Sequence, residues 1–411
     1  MRLSYRLCLA IVTLALLGAG CLASHTEQTI ATDTAVPQTH WVGSWSTAPQ
    51  LTEPRNNPPA PGLEGNTLRQ VFRVSIGGNE LRMRFSNEFS ESPVTLKRVS
   101  LAASVGLDAI DVASSQPLTF DGSDSVTIAP GSAVYSDAVV FSVEALSELA
   151  VTITFGQVPE GITGHPGSRT TSYIVAGGDV KVPSMKQAAA TDHWYIISGL
   201  EVQAPKETAA VAIMGDSITD GRGSGTNQQN RWPDELANRL QQNRATQNVG
   251  VLNQGIGGNC LTRPCLGPAG KDRFERDVLN QKGVKWLIIL EGINDIGGQG
   301  TAEKAEEVIA EYQDMIRRAQ AAGIKVYGAT LTPIKGSGYE SRGSLEAVNT
   351  INHWIRHGGE FDAVIDFAAA VSDPENPNQL KPDYDSGDGL HLSERGYRAM
   401  AEAIDLSLFT Q

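Results

Sequence analysis

The first half of the chain alternates apolar and polar residues in short segments. Between residues 81 and 85, apolar side chains at every second position are separated by Arg82 and Arg84. This is the period of a strand that buries one face. Gly, Asn, Ser and Pro separate further segments of this kind, at residues 70–76, 94–101, 138–143 and 149–155. The pattern predicts an antiparallel β-sandwich or jelly-roll domain over residues 40–202.

The pattern changes after residue 205. Continuous apolar runs, typical of strands buried on both faces, occur at residues 209–214, 247–252, 284–290, 325–331 and 363–367. Helical patterns follow or separate them, at residues 233–242, 302–322, 344–357 and 393–406. Strands that alternate with helices predict an α/β domain over residues 208–411, with a parallel sheet covered on both faces.

The N-terminus has the pattern of an export signal. Arg2 and Arg6 precede an apolar stretch that is too short to span a bilayer. The segment 16–21, Leu-Leu-Gly-Ala-Gly-Cys, resembles a bacterial lipobox, in which the cysteine is acylated, although Gly18 stands where an aliphatic residue is preferred. We therefore expect a signal peptide over residues 1–21, with either lipid attachment at Cys21 or ordinary cleavage. A polar linker is expected over residues 22–39.

Composition narrows the class of partner. The 411 residues suffice for two domains, and 40% hydrophobic with 19% charged residues is typical of a globular protein. The formal net charge of -13 argues against a nucleic-acid partner or an anionic membrane surface, since both require clustered Lys and Arg. Nothing in the sequence specifies an oligomeric state.

Residues suited to acyl transfer follow the predicted strands of the second half. Ser217 follows the first strand, a glycine-rich stretch (253–259) the second and Asn294 the third, while Asp388 and His391 precede the last helix. Alone, each could serve a turn or a helix cap. Because the carboxyl ends of parallel strands meet at one edge, the set predicts a serine nucleophile with a base, an acid and oxyanion donors.

Four motifs carry a family resemblance: Gly-Asp-Ser-Ile-Thr-Asp (215–220), the glycine-rich stretch (253–259), Gly-Ile-Asn-Asp (292–295) and Asp-Gly-Leu-His (388–391). They resemble the motifs of the SGNH (GDSL-type) serine esterases and acylhydrolases. The resemblance implies that residues 208–411 form a three-layer α/β/α, flavodoxin-like domain. It also implies a nucleophile at Ser217, a general base at His391 and Asp388 as its partner.

The same resemblance implies an oxyanion hole formed by the Ser217 amide, Gly258 and Asn294, with the adjacent Gly257 as an alternative to Gly258. It implies no cofactor and no metal site. The first half, with Trp-Val-Gly-Ser-Trp at residues 41–45, resembles the β-rich domain of two-domain exported bacterial members. No functional residue is inferred from that half.

Two cysteines lie beyond the targeting segment. Cys260 and Cys265 occur in a Gly/Pro-rich stretch directly after the predicted oxyanion loop. In an oxidising compartment they could form a disulfide, and the alternative is two free thiols.

The function expected from these motifs is a serine esterase that works through an acyl-enzyme. Short-chain acyl esters, acetyl above all, are the expected substrates, as small molecules or on extracellular polysaccharides. Alternatives are a longer-chain lipase or phospholipase and an arylesterase. The non-enzyme alternative is a surface glycan-binding protein whose hydrolase domain is inert.

Overall fold

The structure, a computed structural model, describes residues 38–410. The predicted signal peptide with Cys21, and nearly all of the predicted linker, lie outside the described residues. Contacts group residues 38–411 into one unit. Within the described part of the chain, no helix has the length and apolar character needed to cross a membrane.

The first part is antiparallel β-structure, which confirms the predicted β-rich half. The strands are β1 (Thr39–Ser46), β2 (Gln50–Leu51), β3 (Thr67–Arg73), β4 (Gly78–Asn87), β5 (Val94–Gly106), β6 (Ala109–Ile110), β7 (Gln116–Leu118), β8 (Val126–Ile128), β9 (Ser132–Tyr135), β10 (Val139–Val143), β11 (Glu148–Phe155), β12 (Thr163–His165), β13 (Ser172–Val175), β14 (Ala189–Thr191), β15 (Trp194–Tyr195) and β16 (Ile197–Pro205). The only helical segments between residues 38 and 205 are short 3-10 turns.

Two large sheets share one apolar core. One has the order β1-β16-β4-β10, with β9 on β4, and the other has the order β14-β13-β3-β11-β5-β6, with β7 and β8 on β5. In β4, Leu81, Met83 and Phe85 are fully buried, whereas Arg82 and Arg84 are half-buried. The apolar face of β4 therefore packs into the core, as the alternation of apolar and polar residues predicts. A third, small sheet has the order β15-β12-β2.

The second part is an α/β fold with a parallel sheet. Its strands are β17 (Ala209–Gly215), β18 (Val249–Gly255), β19 (Val284–Leu290), β20 (Lys325–Ala329) and β21 (Ala363–Ile365), followed by a hairpin of β22 (Ser372–Asp373) and β23 (Asn376–Leu380). The sheet order is β18-β17-β19-β20-β21. This flavodoxin-like order confirms the predicted fold class, and it reverses direction beside β17, where sites in such sheets form.

Helices connect these strands. They are α1 (Ser217–Asp220), α2 (Trp232–Gln242), α3 (Gly270–Phe274), α4 (Ile293–Ile296), α5 (Ala302–Ala321), α6 (Arg342–His357), α7 (Phe367–Val371) and α8 (Glu394–Glu402). Ser393 caps α8 by accepting a hydrogen bond from the Gly396 amide. The pattern predicts that α8 continues to residue 406. Instead it ends at Glu402, because Asp405 caps a separate 3-10 turn by accepting from the Ser407 amide.

The two parts share packing. Leu252, on β18 of the parallel sheet, is fully buried in the apolar core of the β part. The Gly43 amide donates to the carbonyl oxygen of Lys282 at 3.0 Å, and the Val251 amide donates to Ser75 Oγ at 2.9 Å. The division into independent domains at residues 40–202 and 208–411 stays a prediction.

Because Leu252 fills the core of the β part from a strand of the other part, we expect Leu252→Ala to lower the free energy of unfolding by about 2–5 kcal/mol. The control is Leu107→Ala, since Leu107 is 64% exposed. Urea unfolding followed by circular dichroism measures both. A loss below about 1 kcal/mol, within the range of ordinary surface changes, would contradict the shared core.

Candidate active site

Ser217 lies at the first turn after strand β17. The Asp216 carboxylate caps helix α1 by accepting a hydrogen bond from its backbone at 2.9 Å. A Cβ on Gly215 would lie 2.2 Å from Thr219 Oγ1 and 2.7 Å from the Leu290 carbonyl oxygen. The turn therefore requires glycine. It places Ser217, 6% exposed, at the carboxyl edge of the parallel sheet.

Ser217, His391 and Asp388 form one hydrogen-bonded chain. His391 Nε2 lies 2.8 Å from Ser217 Oγ, and His391 Nδ1 lies 2.7 Å from Asp388 Oδ2. Because an ionised carboxylate only accepts, Nδ1 carries the proton and Nε2 accepts from the serine hydroxyl. Asp388 Oδ1 accepts from the His391 amide at 2.8 Å, which fixes the carboxylate. The structure thus brings these three predicted residues together, over 174 positions of sequence.

The pKa values of His391 and Asp388 are both lowered, for different reasons. Burial lowers the pKa of His391 below its usual 6.5, and this effect outweighs the opposing effect of Asp388. Partial burial raises the pKa of Asp388, but hydrogen bonds from the His391 amide and imidazole outweigh it, so that the net pKa is lowered. Near neutral pH the imidazole is therefore neutral and the carboxylate ionised, as proton transfer from serine requires.

The predicted oxyanion donors lie in the same cleft. Ser217, Gly258, Asn294 and His391 all line it, as does the alternative, Gly257. Asn294 Nδ2 donates one hydrogen to the carbonyl oxygen of Asn259 at 2.7 Å. Asn294 Oδ1 accepts from the Tyr339 hydroxyl at 2.6 Å. The side-chain amide is thus fixed in orientation, with its second N–H still to donate.

The loop after β18 requires a glycine at position 258. Gly258 has φ +70°, in the left-handed region, and a Cβ there would lie 2.7 Å from the Leu266 side chain. Cys260 and Cys265 are joined by a disulfide directly after it. The Leu266 amide also donates to the Gly258 carbonyl at 3.3 Å. The loop is therefore closed on itself just beyond the glycines of the cleft.

Asp295 ties this loop to the third strand. Its carboxylate accepts from the Leu261 amide at 2.8 Å, from the Thr262 amide at 2.9 Å and from the Thr262 hydroxyl at 2.7 Å. Asp295 and Asn294 are adjacent on helix α4, so one short helix holds the neighbouring loop at two points. Such fixed donors are what stabilisation of a developing oxyanion needs.

Arg273 lies fully buried beneath the strand ends. Its guanidinium donates to the carbonyl oxygens of Gly215 at 3.0 Å and Gln254 at 2.6 Å, and it lies 3.1 Å from Glu291. It also donates to the Asn259 side chain at 2.9 Å. One cation thus joins the ends of β17, β18 and β19, each of which carries a part of the site.

The β part supplies a wall of the cleft. Gln50, Glu53, Arg55, Asn56, Pro166, Gly167, Arg169 and His193 line it from that side. One buried hydrogen bond joins this wall to the serine turn: His165 Nε2 lies 2.8 Å from Asp220 Oδ1, and His165 Nδ1 lies 3.0 Å from the Ala48 carbonyl oxygen. No group of three His, Cys, Asp or Glu side chains within residues 38–410 is placed to hold a metal ion.

Sequence reasoning missed several of these residues. Asp295 is the last residue of the Gly-Ile-Asn-Asp motif (292–295), so its place beside Asn294 could have marked it as a site residue. Arg273 lies in a short helix without a long periodic pattern, and nothing in its neighbourhood marks it. The wall residues of the β part are brought to the serine only by the packing of the two parts.

Comparison with known proteins agrees with this geometry. The model of the GDSL-like lipase/acylhydrolase family matches residues 213–399. Residues 213–399 form a GDSL-like lipase/acylhydrolase domain. The domain is that of a carboxylic ester hydrolase, which confirms the predicted enzyme class. The comparison with curated proteins gave no match.

Solved structures are similar to about half of the chain. One, a lipolytic protein of the G-D-S-L family from Desulfitobacterium hafniense, is 22% identical over 48% of this chain and 97% of its own, with a TM-score of 0.38. A carbohydrate acetylesterase from Sinorhizobium meliloti is 18% identical over 48% and 96%, with a TM-score of 0.37. An acetyl xylan esterase from Geobacillus stearothermophilus is 23% identical over 48% and 94%, with a TM-score of 0.37.

Asp388→Asn should reduce kcat/KM of the GDSL-like domain by about 10²–10⁴-fold, because an amide cannot stabilise the imidazolium and favours the wrong tautomer. The measurement is kcat/KM on 4-nitrophenyl acetate, with the melting temperature as a check on folding. Asp383→Asn is the matched control, an exposed carboxylate of the same segment. Full activity of the Asp388 variant would mean that Ser217 and His391 act without the carboxylate.

The activity should show an acid limb set by His391. The base works only when neutral, so kcat/KM rises as the pH rises through the pKa of His391 and then levels off. Burial holds that pKa below 6.5, so the midpoint should lie below pH 6.5. Rates on a neutral ester between about pH 4 and pH 8 measure it, with circular dichroism at each pH. A midpoint above 6.5, or none, would contradict the assignment.

Proposed function

We propose that the chain hydrolyses short acyl esters, acetyl esters above all, and that Ser217 forms an acyl-enzyme intermediate. The observation that carries the proposal is the hydrogen-bonded chain Ser217–His391–Asp388 at the floor of a cleft that Gly258 and Asn294 also line. Nucleophile, base, orienting acid and oxyanion donors are the complete set that acyl transfer by serine needs.

In the first half-reaction, His391 Nε2 takes the hydroxyl proton while Ser217 Oγ attacks the ester carbonyl carbon. Three N–H groups are available to the resulting oxyanion. The Ser217 amide is the first of helix α1 and has no acceptor within the helix. The Gly258 amide and the second N–H of Asn294 Nδ2 complete the hole. Asp388 stabilises the imidazolium that forms.

Collapse of the tetrahedral intermediate breaks the bond to the alcohol, which leaves with the proton held on His391 Nε2. Water then attacks the acyl carbon of the acyl-enzyme, and His391 again takes the proton. The second collapse releases the carboxylic acid and returns the proton to Ser217 Oγ. Apart from the attacking water, these steps use only side chains and backbone amides of this site.

The walls of the cleft support a short acyl group. The cleft has a volume of about 330 Å³. Among the described residues that line it, only Pro166, Leu266 and Tyr339 offer sizeable apolar surface. A long acyl chain needs a mainly apolar wall along its length. Polar side chains from the β part favour a polar alcohol, such as a sugar of an extracellular polysaccharide.

We also propose that the protein is exported. Support comes from the basic residues and apolar stretch of segment 1–21. The disulfide between Cys260 and Cys265 belongs with an oxidising compartment. Lipid attachment at Cys21 remains part of this proposal.

A series of 4-nitrophenyl esters tests the acyl length. We expect the highest kcat/KM on acetate and a loss of roughly tenfold or more on octanoate, since the added methylenes find no apolar wall. Free acetate released from acetylated xylan and acetylated pectin extends the series to polysaccharides. A maximum on octanoate or palmitate would make the chain a lipase.

Ser217→Ala checks that the same serine acts on every ester of the series. The variant should keep its melting temperature and lose turnover, because the attacking oxygen is gone. Ser142→Ala is the matched control, since Ser142 is an exposed serine of strand β10. Undiminished turnover in the Ser217 variant would refute the proposed mechanism.

A further inference from the structure

The cleft concentrates positive charge in an acidic protein. Arg55, Arg169 and Arg222 line it, although the formal net charge of the chain is -13. Two carboxylates also line it. Glu53 accepts from the side-chain amides of Gln50 and Asn56, whereas Asp220 Oδ1 lies against His165 and Asp220 Oδ2 is buried without a hydrogen-bond partner. Three guanidinium groups thus line the cleft with two carboxylates, which leaves an excess of positive charge in the lining.

Arg222 combines a fixed backbone with an unpaired guanidinium. It follows helix α1, five positions after the nucleophile, and its amide donates to the Ser217 carbonyl at 2.9 Å. Its own carbonyl accepts from the Tyr397 hydroxyl at 2.5 Å. Arg222 is exposed to solvent, and no ion pair or side-chain hydrogen bond joins its guanidinium to another residue between 38 and 410. The backbone thus holds a solvent-exposed cation in the lining of the cleft that contains Ser217.

Arg169 reaches the cleft from the β part. Its φ is +51°, a left-handed conformation that is uncommon for a residue with a side chain. The Asn227 amide donates to its carbonyl at 2.9 Å and holds the turn. Arg169 Nε is buried, and no acceptor in the described chain reaches it. A Nη atom forms a long ion pair with Asp220 Oδ2 at 3.9 Å, without a hydrogen bond.

A buried, unpaired N–H costs stability unless an acceptor reaches it. Both arginines also lie close enough to His391 for their charges to lower its pKa. The guanidinium of Arg169 thus reaches the cleft of Ser217 from the β part, and that of Arg222 reaches it from the α/β part. A guanidinium matches a carboxylate with two parallel hydrogen bonds.

We propose that Arg169 and Arg222 bind a carboxylate on the alcohol part of the substrate, so that the enzyme prefers acyl esters of acidic sugars to those of neutral sugars. This inference rests on the proposed esterase function. The polar wall of Gln50, Asn56 and His193 would then face the sugar hydroxyls, and the acyl group would lie over Ser217. The scarce apolar surface of the cleft does not suit the tails of an anionic lipid.

The test compares 3-acetoxybenzoate with its neutral analogue 3-acetoxybenzamide, each rate divided by the alkaline hydrolysis rate of the same ester. We expect wild-type kcat/KM to favour the carboxylate by about tenfold. Added NaCl should weaken this preference through screening, and it should leave the neutral ester unchanged. Acetate release from acetylated polygalacturonate, with free or methyl-esterified carboxylates, repeats the comparison on a polymer.

Arg169→Gln and Arg222→Gln should each bring the ratio of normalised kcat/KM on the carboxylate and neutral esters towards one, mainly by raising KM for the carboxylate ester. Arg222→Lys should restore part of the preference for the carboxylate ester. Arg342→Gln, 92% exposed on α6, is the matched control and should keep the wild-type ratio. If Arg169→Gln does not fold, Arg222→Gln and the salt dependence of the wild-type enzyme still show whether the arginines cause the preference for the carboxylate ester.

The outcomes separate the two proposals. Equal normalised rates on both esters would overturn the carboxylate site and leave the esterase standing. No turnover of either ester would overturn the esterase itself. A higher normalised rate on 3-acetoxyphenyl phosphate than on 3-acetoxybenzoate would also overturn the inference, because the arginines would then select phosphate.

Discussion

The buried guanidinium of Arg273 is the interaction on which the site depends. Parallel strands bring their carbonyl ends to one edge, and here that edge also carries the carboxylates of Asp216 and Glu291. Burial raises the pKa of both carboxyl groups and outweighs the lowering effect of the Arg273 charge, so that the pKa of Asp216 is raised to about 7 and that of Glu291 well above its usual value. Without this cation, buried carboxylates and carbonyl oxygens would face one another uncompensated, which costs several kcal/mol.

Two sets of contacts fix the site. Arg273 holds the strand ends, and Asn294 and Asp295 hold the loop that carries Gly258. Because these groups are held before a substrate arrives, they would need little reorganisation to act as the predicted oxyanion donors. The α/β part thus carries the predicted catalytic residues. The β part closes the cleft and supplies the polar and cationic wall from which selectivity would come.

Much of this follows from the sequence. The alternation of apolar and polar residues predicted the β-rich half, and the continuous apolar runs predicted the parallel sheet. The convergence of strand ends indicated that Ser217 and Asn294 lie close together, and the resemblance to SGNH hydrolases added His391 and the flavodoxin-like order. Arg273 and the His165–Asp220 contact could not be predicted, because their partners lie on other elements and local patterns carry no long-range pairing. Arg169 was hidden for the same reason. The catalytic roles of the site residues stay predictions.

We propose that His391 and Asp388 activate Ser217 as a nucleophile. Covalent labelling tests it most directly: the intact protein is treated with a fluorophosphonate, and the modified peptide is located by mass spectrometry. We expect one adduct, on Ser217, with labelling strongly slowed in His391→Ala at an unchanged melting temperature. An adduct on another residue, or equal labelling of Ser217 without His391, would contradict it.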